Sequence, residues 1–100
     1  MTFTQLEYIL AIDVHRHFAK AADACFVTQP TLSMQVQKLE DALGVKIFDR
    51  SRFPVIPTEA GREILEQAKK ILLEKSRITE IISRRKRLLE CGLRIGIIPT

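Results

Sequence analysis

The sequence predicts a mainly α-helical fold, and three of its features carry that prediction. Apolar residues recur at three- and four-residue intervals through the first 43 positions, in three segments separated by breaks. The stretch "VKIFDRSRFPVIP" alternates like a strand and contains prolines that exclude a helix interior. Beyond it, one helical pattern continues for more than 30 residues. The expected order is three short helices, a small β wing and one long helix.

Length and composition restrict the kinds of protein this chain could be. Its 100 residues, 46% hydrophobic and 28% charged, suit one small globular domain or a domain with an appendage. Two cysteines are too few for a disulfide framework, and no apolar run reaches the ~20 residues of a membrane span. With no signal-peptide pattern, we expect a cytoplasmic protein without membrane contact. No Gly-rich phosphate loop, carboxylate pair or nucleophile–base set occurs, so we expect neither an enzyme nor a cofactor.

The first helix has a clear start signal. Thr4 and Glu7 have the spacing of a capping box, in which each side chain accepts a hydrogen bond from the other's backbone N–H. We expect this helix to end near "HRH", with both histidines acting as cations favoured by the helix C-terminus. We do not expect His15 and His17 to form a metal site with Cys25, because an H-x-H pair at a helix end points its rings apart.

A short Ala-rich helix and a third helix follow, joined by a tight break that predicts a helix-turn-helix. Cys25 ends the second helix and is predicted to be a buried, unreactive thiol. Phe26 lies in the break, where we expect it to pack rather than to contact a ligand. Thr28 is the predicted N-cap of the third helix, and Gly44 is its C-terminal stop. The core stripe of that helix is Leu32, Val36, Leu39 and Leu43.

The outward face of the third helix has the character of a surface that reads DNA. No acidic residue occurs from position 26 to position 39. A recognition helix enters the major groove N-terminus first, where the helix dipole attracts phosphate and an acid would repel it. Uncharged Gln, Ser and Thr side chains can bond base edges there. Glu40 and Asp41 are expected further along, where the helix leaves the groove. The residues predicted to face outward are Pro30, Thr31, Ser33, Met34, Gln37 and Lys38.

Bulk charge alone does not identify the first half of the chain as a DNA binder. The part before Thr58 contains six basic and six acidic residues, whereas the part from Thr58 onward contains ten basic and six acidic ones. The predicted wing nevertheless carries Arg50 and Arg52 between two extended segments, at 46–49 and 54–56. Long basic side chains on such a wing reach flanking phosphates or the minor groove.

The long helix is predicted to begin at a Thr58 cap. More than 30 residues at ~1.5 Å each give a rod of roughly 50 Å, too long to pack on a domain this small. We therefore expect a homodimer through this helix, with Lys75 interrupting an apolar seam. The basic run at 84–87 is expected to be a solvated face. The seam residues are Ile64, Ala68, Ile71, Ile78 and Ile82.

The end of the chain has a different pattern. After the long helix, "LRIGIIP" reads as a buried strand without a partner, which predicts the opening of an absent α/β sensor domain. The predicted divisions are 1–58 for the winged helix-turn-helix, 59–91 for the linker and dimerisation helix, and 92–100 for the start of the truncated effector-binding domain.

Several motifs resemble the DNA-binding domain of the LysR-type transcriptional regulators. The stretch "FAKAADACFVTQPTLSMQVQKLEDALGVKIFDR" contains an A-A pair, "QP-x-LS-x-Q-x-x-x-LE" and "LG-x-x-[LI]F-x-R" in the family's order, and "TEAG" follows. The resemblance implies a bacterial dimer of dimers that binds double-stranded operator DNA and senses a signal through a C-terminal domain. It leaves RNA polymerase open as a further partner. The DNA-contacting residues that it implies are Thr28, Gln29, Pro30, Thr31, Ser33, Met34, Gln37, Lys38, Arg50 and Arg52.

A narrower resemblance concerns the signal. "HRHF" at the end of the first helix and the closing "LRIGIIPT" are similar to the peroxide-responsive members of the family. They imply a hydrogen-peroxide or oxidative-stress response whose redox cysteines lie in the sensor domain, so neither Cys25 nor Cys91 takes that role. Two alternatives stay open: a family member that responds to a small metabolite, and a helical module that binds another protein.

Overall fold

Four helices and one two-stranded sheet make up the described part of the protein. The computed structural model describes residues 1–92, with side chains up to residue 90. The mainly helical class predicted from the sequence is confirmed, whereas the strand predicted after Gly92 lies outside the described residues. The elements are α1 (Phe3–His15), α2 (Phe18–Ala24), α3 (Gln29–Leu43), β1 (Phe48–Asp49), β2 (Ile56–Pro57) and α4 (Glu59–Gly92).

Helix α1 begins earlier than its sequence pattern suggested, and the predicted capping box at Thr4 and Glu7 is wrong. The Thr2 hydroxyl accepts a hydrogen bond from the Gln5 N–H at 3.1 Å, and the Gln5 side chain accepts one from the Thr2 N–H at 3.0 Å. Both pairs have the same spacing, but the Gln5 amide also donates to the Gln35 side chain of α3 at 3.1 Å. This additional contact between helices favours the earlier start.

Helices α2 and α3 form the predicted helix-turn-helix. Thr28 is the N-cap of α3, and Gly44 ends the helix with a φ of 74°, a left-handed conformation that glycine adopts without strain. One member of the predicted core stripe, Leu43, is exposed because it lies in the last turn of α3, beyond the turns that the other helices cover. The stripe residues that are fully buried are Leu32, Val36 and Leu39.

The hydrophobic core lies where the first three helices meet the base of the wing and the start of α4. Its members come from every helix and from both sides of the wing. Burying one large aliphatic side chain stabilises a fold by roughly 1.5–3 kcal/mol, so these residues fix the position of α3 relative to the wing. The largest fully buried side chains are Ile9, Ile12, Leu32, Leu39, Ile47 and Val36.

The wing is a minimal antiparallel hairpin. Phe48 pairs with Pro57, and Asp49 pairs with Ile56. Both predicted extended segments overlap a strand, although each strand has only two residues. A ladder this short is marginal alone, so the wing depends on its contacts with the helices for a defined position.

Helix α4 is anchored at its first turn to the segment that leads into β1. The predicted Thr58 cap is confirmed: its hydroxyl accepts from the Gly61 N–H at 2.9 Å and donates to the Lys46 carbonyl at 2.6 Å. Position 61 requires glycine because a Cβ there would overlap the Ile47 carbonyl oxygen. The "TEAG" motif therefore joins the wing to the long helix.

The two halves of α4 have different surroundings. In the proximal half, Glu59–Leu72, the side chains of Leu65 and Ala68 are buried against the rest of the chain. In the distal half, Leu73–Glu90, every side chain is exposed. The molecule measures 62 × 24 × 19 Å, as a rod projecting from a small domain requires. Among the described helices, none combines the length and apolar character that crossing a membrane demands.

The predicted dimerisation seam is split between these halves. Ala68 is buried in the chain's own core, and Ile64 and Ile71 pack partly against that core. Ile78 and Ile82 are exposed. The proximal members are therefore covered largely from within the chain, which the heptad spacing alone did not reveal. Their part in dimerisation stays a prediction.

Candidate nucleic-acid interface

Helix α3 turns one side to the core and the other to solvent. The six residues predicted to face outward all lie on the solvent side, and Gln29 joins them at the first position of the helix. Lys38 gives this surface a positive charge, and the segment from residue 26 to residue 39 contains no acid to oppose it. The exposed members are Pro30, Met34, Gln37 and Lys38, and the half-buried members are Thr31 and Ser33.

The N-terminus of α3 is organised by Thr28. Its hydroxyl accepts from the Thr31 N–H at 3.4 Å and donates to the Thr31 hydroxyl at 2.9 Å. The two hydroxyl groups are thus engaged with each other, which leaves Gln29 as the freely projecting polar side chain of this first turn. No acidic residue stands in the turn, so the partial positive charge of the helix end is unopposed.

Glu40 is the main residue that sequence reasoning placed wrongly. It does not face outward at the end of the groove but is buried, and its carboxylate accepts from the backbone N–H groups of Ile47 at 2.8 Å and Phe48 at 3.4 Å. The signal was available: Glu40 lies four residues after the buried Val36, on the same face of the helix. Its inward position removes an acid from the outward side of α3 and ties the helix to the wing.

The two wing arginines, predicted to act alike, occupy different environments. Arg50 lies 3.6 Å from the Glu40 carboxylate, and its guanidinium carbon lies 4.5 Å from the centre of the Phe18 ring. Arg52 has a side chain that is 70% exposed, with Nε 3.8 Å from the Asp49 carboxylate. Arg50 is therefore held by internal partners, whereas Arg52 is available to a ligand.

The turn of the wing is held by Asp49. Its carboxylate accepts from both the hydroxyl and the backbone N–H of Ser51. These hydrogen bonds, the side-chain one first, hold the pKa of Asp49 below its ordinary value, and the charge of Arg52 lowers it slightly further. The carboxylate thus stays ionised beside Arg52.

Phe26 does not pack, contrary to expectation. It is 95% exposed, and its φ of 59° is a left-handed conformation that a bulky residue rarely adopts. The turn is fixed by backbone bonds, from Phe26 N–H to the Asp23 carbonyl at 3.1 Å and from Val27 N–H to the Ala22 carbonyl at 3.0 Å. The half-buried Val27 takes the packing position that sequence reasoning gave to Phe26.

The corner between α1 and α2 also differs from expectation. His15 lies in the last turn of α1, as predicted. His17 does not act as a helix-end cation: it is the N-cap of α2, and its Nδ1 accepts from the Lys20 N–H at 3.2 Å. Between them, Arg16 adopts a φ of 54° and donates from Nε to the Asp13 carbonyl at 2.7 Å.

Cys25 is half-buried rather than fully buried. Burial raises the pKa of its thiol, and the nearby charge of Glu7 raises it further. A thiol held protonated is a poor nucleophile, which agrees with the unreactive role predicted for it. The side chain of Cys91 lies outside the described part of the chain.

The fold combines a helix-turn-helix that has an acid-free outward face with a β wing and a long projecting helix. Together these features define a winged helix-turn-helix protein. Residues 3–62 match the family described as "Bacterial regulatory helix-turn-helix protein, lysR family", and the chain belongs to that family. It is 45% identical over its whole length to the "Hydrogen peroxide-inducible genes activator" of Pectobacterium carotovorum subsp. carotovorum, and it spans 33% of that relative.

Solved structures show the same arrangement. A full-length OxyR variant from Pseudomonas aeruginosa is 46% identical with a TM-score of 0.80, the match covering 84% of this chain and 28% of that one. The BenM DBD in complex with benA site 1 DNA is 35% identical with a TM-score of 0.76, the match covering 88% of this chain and 96% of that one. One neighbour therefore links the fold to OxyR and the other to a DNA complex.

Proposed function

We propose that this chain is the DNA-binding part of a transcriptional regulator that recognises specific sequences in double-stranded operator DNA. Helix α3 enters the major groove by its N-terminus, and the wing reaches the flanking backbone or minor groove. The observation that carries the proposal is the outward face of α3, which is acid-free from residue 26 to residue 39 while Glu40 turns inward. The likeness to the BenM DNA complex supports the same reading.

The proposed contacts divide into base readout and phosphate binding. Gln29 and Gln37 present the donor and acceptor pair that matches adenine, and Met34 offers an apolar contact to a thymine methyl. Lys38 and Arg52 are exposed cations placed for phosphate or minor-groove contact. The remaining proposed contacts are supporting ones, made by Thr28, Pro30, Thr31, Ser33 and Arg50.

The proposed functional unit is a homodimer joined through the distal half of α4. Ile78 and Ile82 are exposed and lie four residues apart, hence on one face of the helix. Covering this face with a second copy removes apolar surface from water and presents two α3 helices to two half-sites of DNA. Tetramer formation and contact with RNA polymerase belong to the proposal for the whole regulator.

For the signal, we propose hydrogen peroxide, acting on the whole protein in the bacterial cytoplasm. The support is the name of a relative that is 45% identical, against 35% identity for the BenM domain. The chain spans a third of that relative's length, and we propose that the sensing residues belong to the remaining part of the whole protein. The alternative within the family is a small-metabolite signal, and the alternative from another class is a protein-interaction module.

A DNA titration tests this function directly. The duplex most enriched from a random pool on the chain is compared with an unselected duplex at several salt concentrations. Phosphate contacts make log affinity fall linearly with log salt, and Lys38→Ala should reduce the size of that slope by about one. Gln29→Ala should instead relax base preference, losing about 1–3 kcal/mol of discrimination at one position.

Each outcome separates the candidate functions. Salt-dependent binding with a preference for the selected duplex supports the regulator. Equal binding to both duplexes indicates a non-specific DNA binder. No binding at low salt rules out the DNA function and favours the protein-interaction module. If neither substitution changes affinity or slope, the contact assignment is wrong.

A further inference from the structure

The recognition surface leaves one sequence motif unexplained, the "HRHF" at the end of the first helix. Three consecutive residues of this motif, Arg16–Phe18, form the corner between α1 and α2. Each of them contacts the wing, which we define as residues 48–57. No residue of the corner belongs to the outward face of α3. Any effect of the corner on DNA binding must therefore pass through the wing.

The three contacts are different in kind. The Val55 N–H donates to the Arg16 carbonyl at 3.1 Å. The His17 ring meets the Phe53 ring edge to face, with centroids 5.4 Å apart and planes at 79°. The Phe18 ring lies under the Arg50 guanidinium at 4.5 Å, and Arg50 also pairs with Glu40 of α3. All three wing partners, Arg50, Phe53 and Val55, lie in the loop between the two strands.

The contact at the tip has a particular position. Phe53 is 76% exposed, so its ring adds little to the core, yet it follows Arg52 directly in the chain. The two-residue ladder ends at Asp49 and Ile56 and does not extend to the tip. Among the described residues, His17 is the aromatic partner of the Phe53 ring. A side chain that holds Phe53 therefore also limits where the Arg52 guanidinium can reach.

We propose that His17, acting through Phe53, is a positioning residue that directs Arg52 into the minor groove. The inference rests on the proposed DNA-binding function and deepens it, since it assigns wing geometry to a corner that makes no DNA contact itself. Edge-to-face aromatic pairs prefer this geometry, so the contact selects one placement of Phe53 in a loop that the two-residue ladder does not reach. The guanidinium then meets the narrow groove at a fixed depth.

The variants are chosen so that the fold survives. His17→Asn keeps an N-cap residue for α2 and removes the ring, because asparagine caps helices well. Phe53→Ala removes the other ring, and Phe53→Tyr restores it with a hydroxyl that can project into solvent. Arg52→Ala removes the side chain that is positioned. Phe26→Ala is the matched control, because it removes another exposed aromatic ring that lies outside the wing. Circular dichroism confirms folding of each.

The probe is the selected duplex, with and without 2,6-diaminopurine in place of adenine in the A·T pairs flanking the α3 site. This base adds an amino group to the minor groove and leaves the major-groove pattern of adenine in place. We expect the unsubstituted chain and Phe26→Ala to lose about tenfold in affinity on the modified duplex, the size of one good groove contact. Arg52→Ala should be nearly insensitive to it.

His17→Asn and Phe53→Ala should behave like Arg52→Ala, with weaker binding to the natural duplex and little sensitivity to the modification. Phe53→Tyr should restore both properties. Combining His17→Asn with Arg52→Ala should cost no more than Arg52→Ala alone, within about twofold, because both changes remove the same contact.

The contrary results are distinct. His17 does not position Arg52 if His17→Asn or Phe53→Ala keeps full sensitivity to 2,6-diaminopurine, or if Phe53→Tyr fails to restore that sensitivity. The same conclusion follows if the losses of affinity caused by His17→Asn and Arg52→Ala add up in the double variant. An unsubstituted chain that binds but ignores the modification also overturns the inference, because the wing then does not read the minor groove. An unsubstituted chain that binds neither duplex overturns the DNA-binding function as well.

Discussion

The two halves of α4 are built from similar residues but have opposite surroundings. In the proximal half, Leu65 is 3% exposed and packs in the core shared with α1. In the distal half, Leu73 is 54% exposed and Ile78 is 61% exposed. The same helical periodicity of apolar residues runs through both halves. Periodicity thus shows that a face will be covered, and it does not show whether the cover comes from the same chain or from another.

The largest expected difference comes from truncating one leucine in each half. Leu65→Ala should lower the free energy of unfolding by about 2–5 kcal/mol, because it removes buried methyl groups and leaves a cavity. Leu73→Ala should lower it by less than about 0.5 kcal/mol in dilute monomer, because the side chain is already solvated. Urea denaturation followed by circular dichroism measures both. Equal losses would mean that the halves do not differ in burial.

The next effect concerns association rather than folding. Ile78→Arg should weaken dimerisation at least about tenfold, or about 1.4 kcal/mol, because it places a charge in the proposed contact between two copies. Ser76→Arg is the matched control, since residues two positions apart lie on different faces of a helix. Sedimentation equilibrium gives both constants. An unchanged constant for Ile78→Arg would place the dimer contact elsewhere.

An exposed apolar residue outside α4 sharpens the comparison. Phe26 is 95% exposed and has a φ of 59°, so Phe26→Gly should raise the free energy of unfolding by about 1 kcal/mol through relief of left-handed strain. For a domain this small the melting temperature should rise by about 4–8 °C. Arg16→Gly, at a φ of 54°, should bring no such gain because it also removes the bonds from Arg16 to Asp13. A fall in stability for Phe26→Gly would show that the ring has a partner.

The smallest effect is expected at the boundary between the halves. Lys75 Nζ lies 3.8 Å from the Glu7 carboxylate and 5.1 Å from the centre of the Phe3 ring. Both ends of the ion pair are about half exposed, so Lys75→Ala should cost between about 0 and 1 kcal/mol. The loss should shrink in high salt, whereas Lys69→Ala should show neither effect. A larger, salt-independent loss would mean that the proximal packing extends past Leu72.

Sequence reasoning succeeded where one residue decides a local structure. Gly44 ends α3 because the left-handed conformation there favours glycine, and Thr28 and Thr58 cap helices through their own hydroxyl groups. It failed where two local solutions had equal spacing, as with the cap at Thr2 and the expected one at Thr4. The choice between them was made by a contact with another helix, and that contact is not encoded nearby in the chain.

The candidate site shows the same division. The outward face of α3 followed from its periodicity, because buried and exposed positions on one helix are linked by geometry. The different surroundings of Arg50 and Arg52 did not follow, since Arg50 is held by Glu40 and Phe18 from two other elements. The roles of His17 and Phe53 were missed for the same reason: their meeting depends on how the wing folds back on the helices.

The hydrogen bonds of the Thr58 hydroxyl fix the first turn of α4, so any tilt of this long helix pivots about that turn. The Thr58 oxygen bonds both to the segment that leads into β1, at Lys46, and to the first turn of the helix, and Gly61 lies too close to the Ile47 carbonyl for the two to slide freely. With 34 residues the helix is about 51 Å long, so a tilt of about 10° about its first turn displaces its far end by about 9 Å. Conversely, a large displacement of the distal end of α4 corresponds to only a small rotation of its first turn relative to the wing.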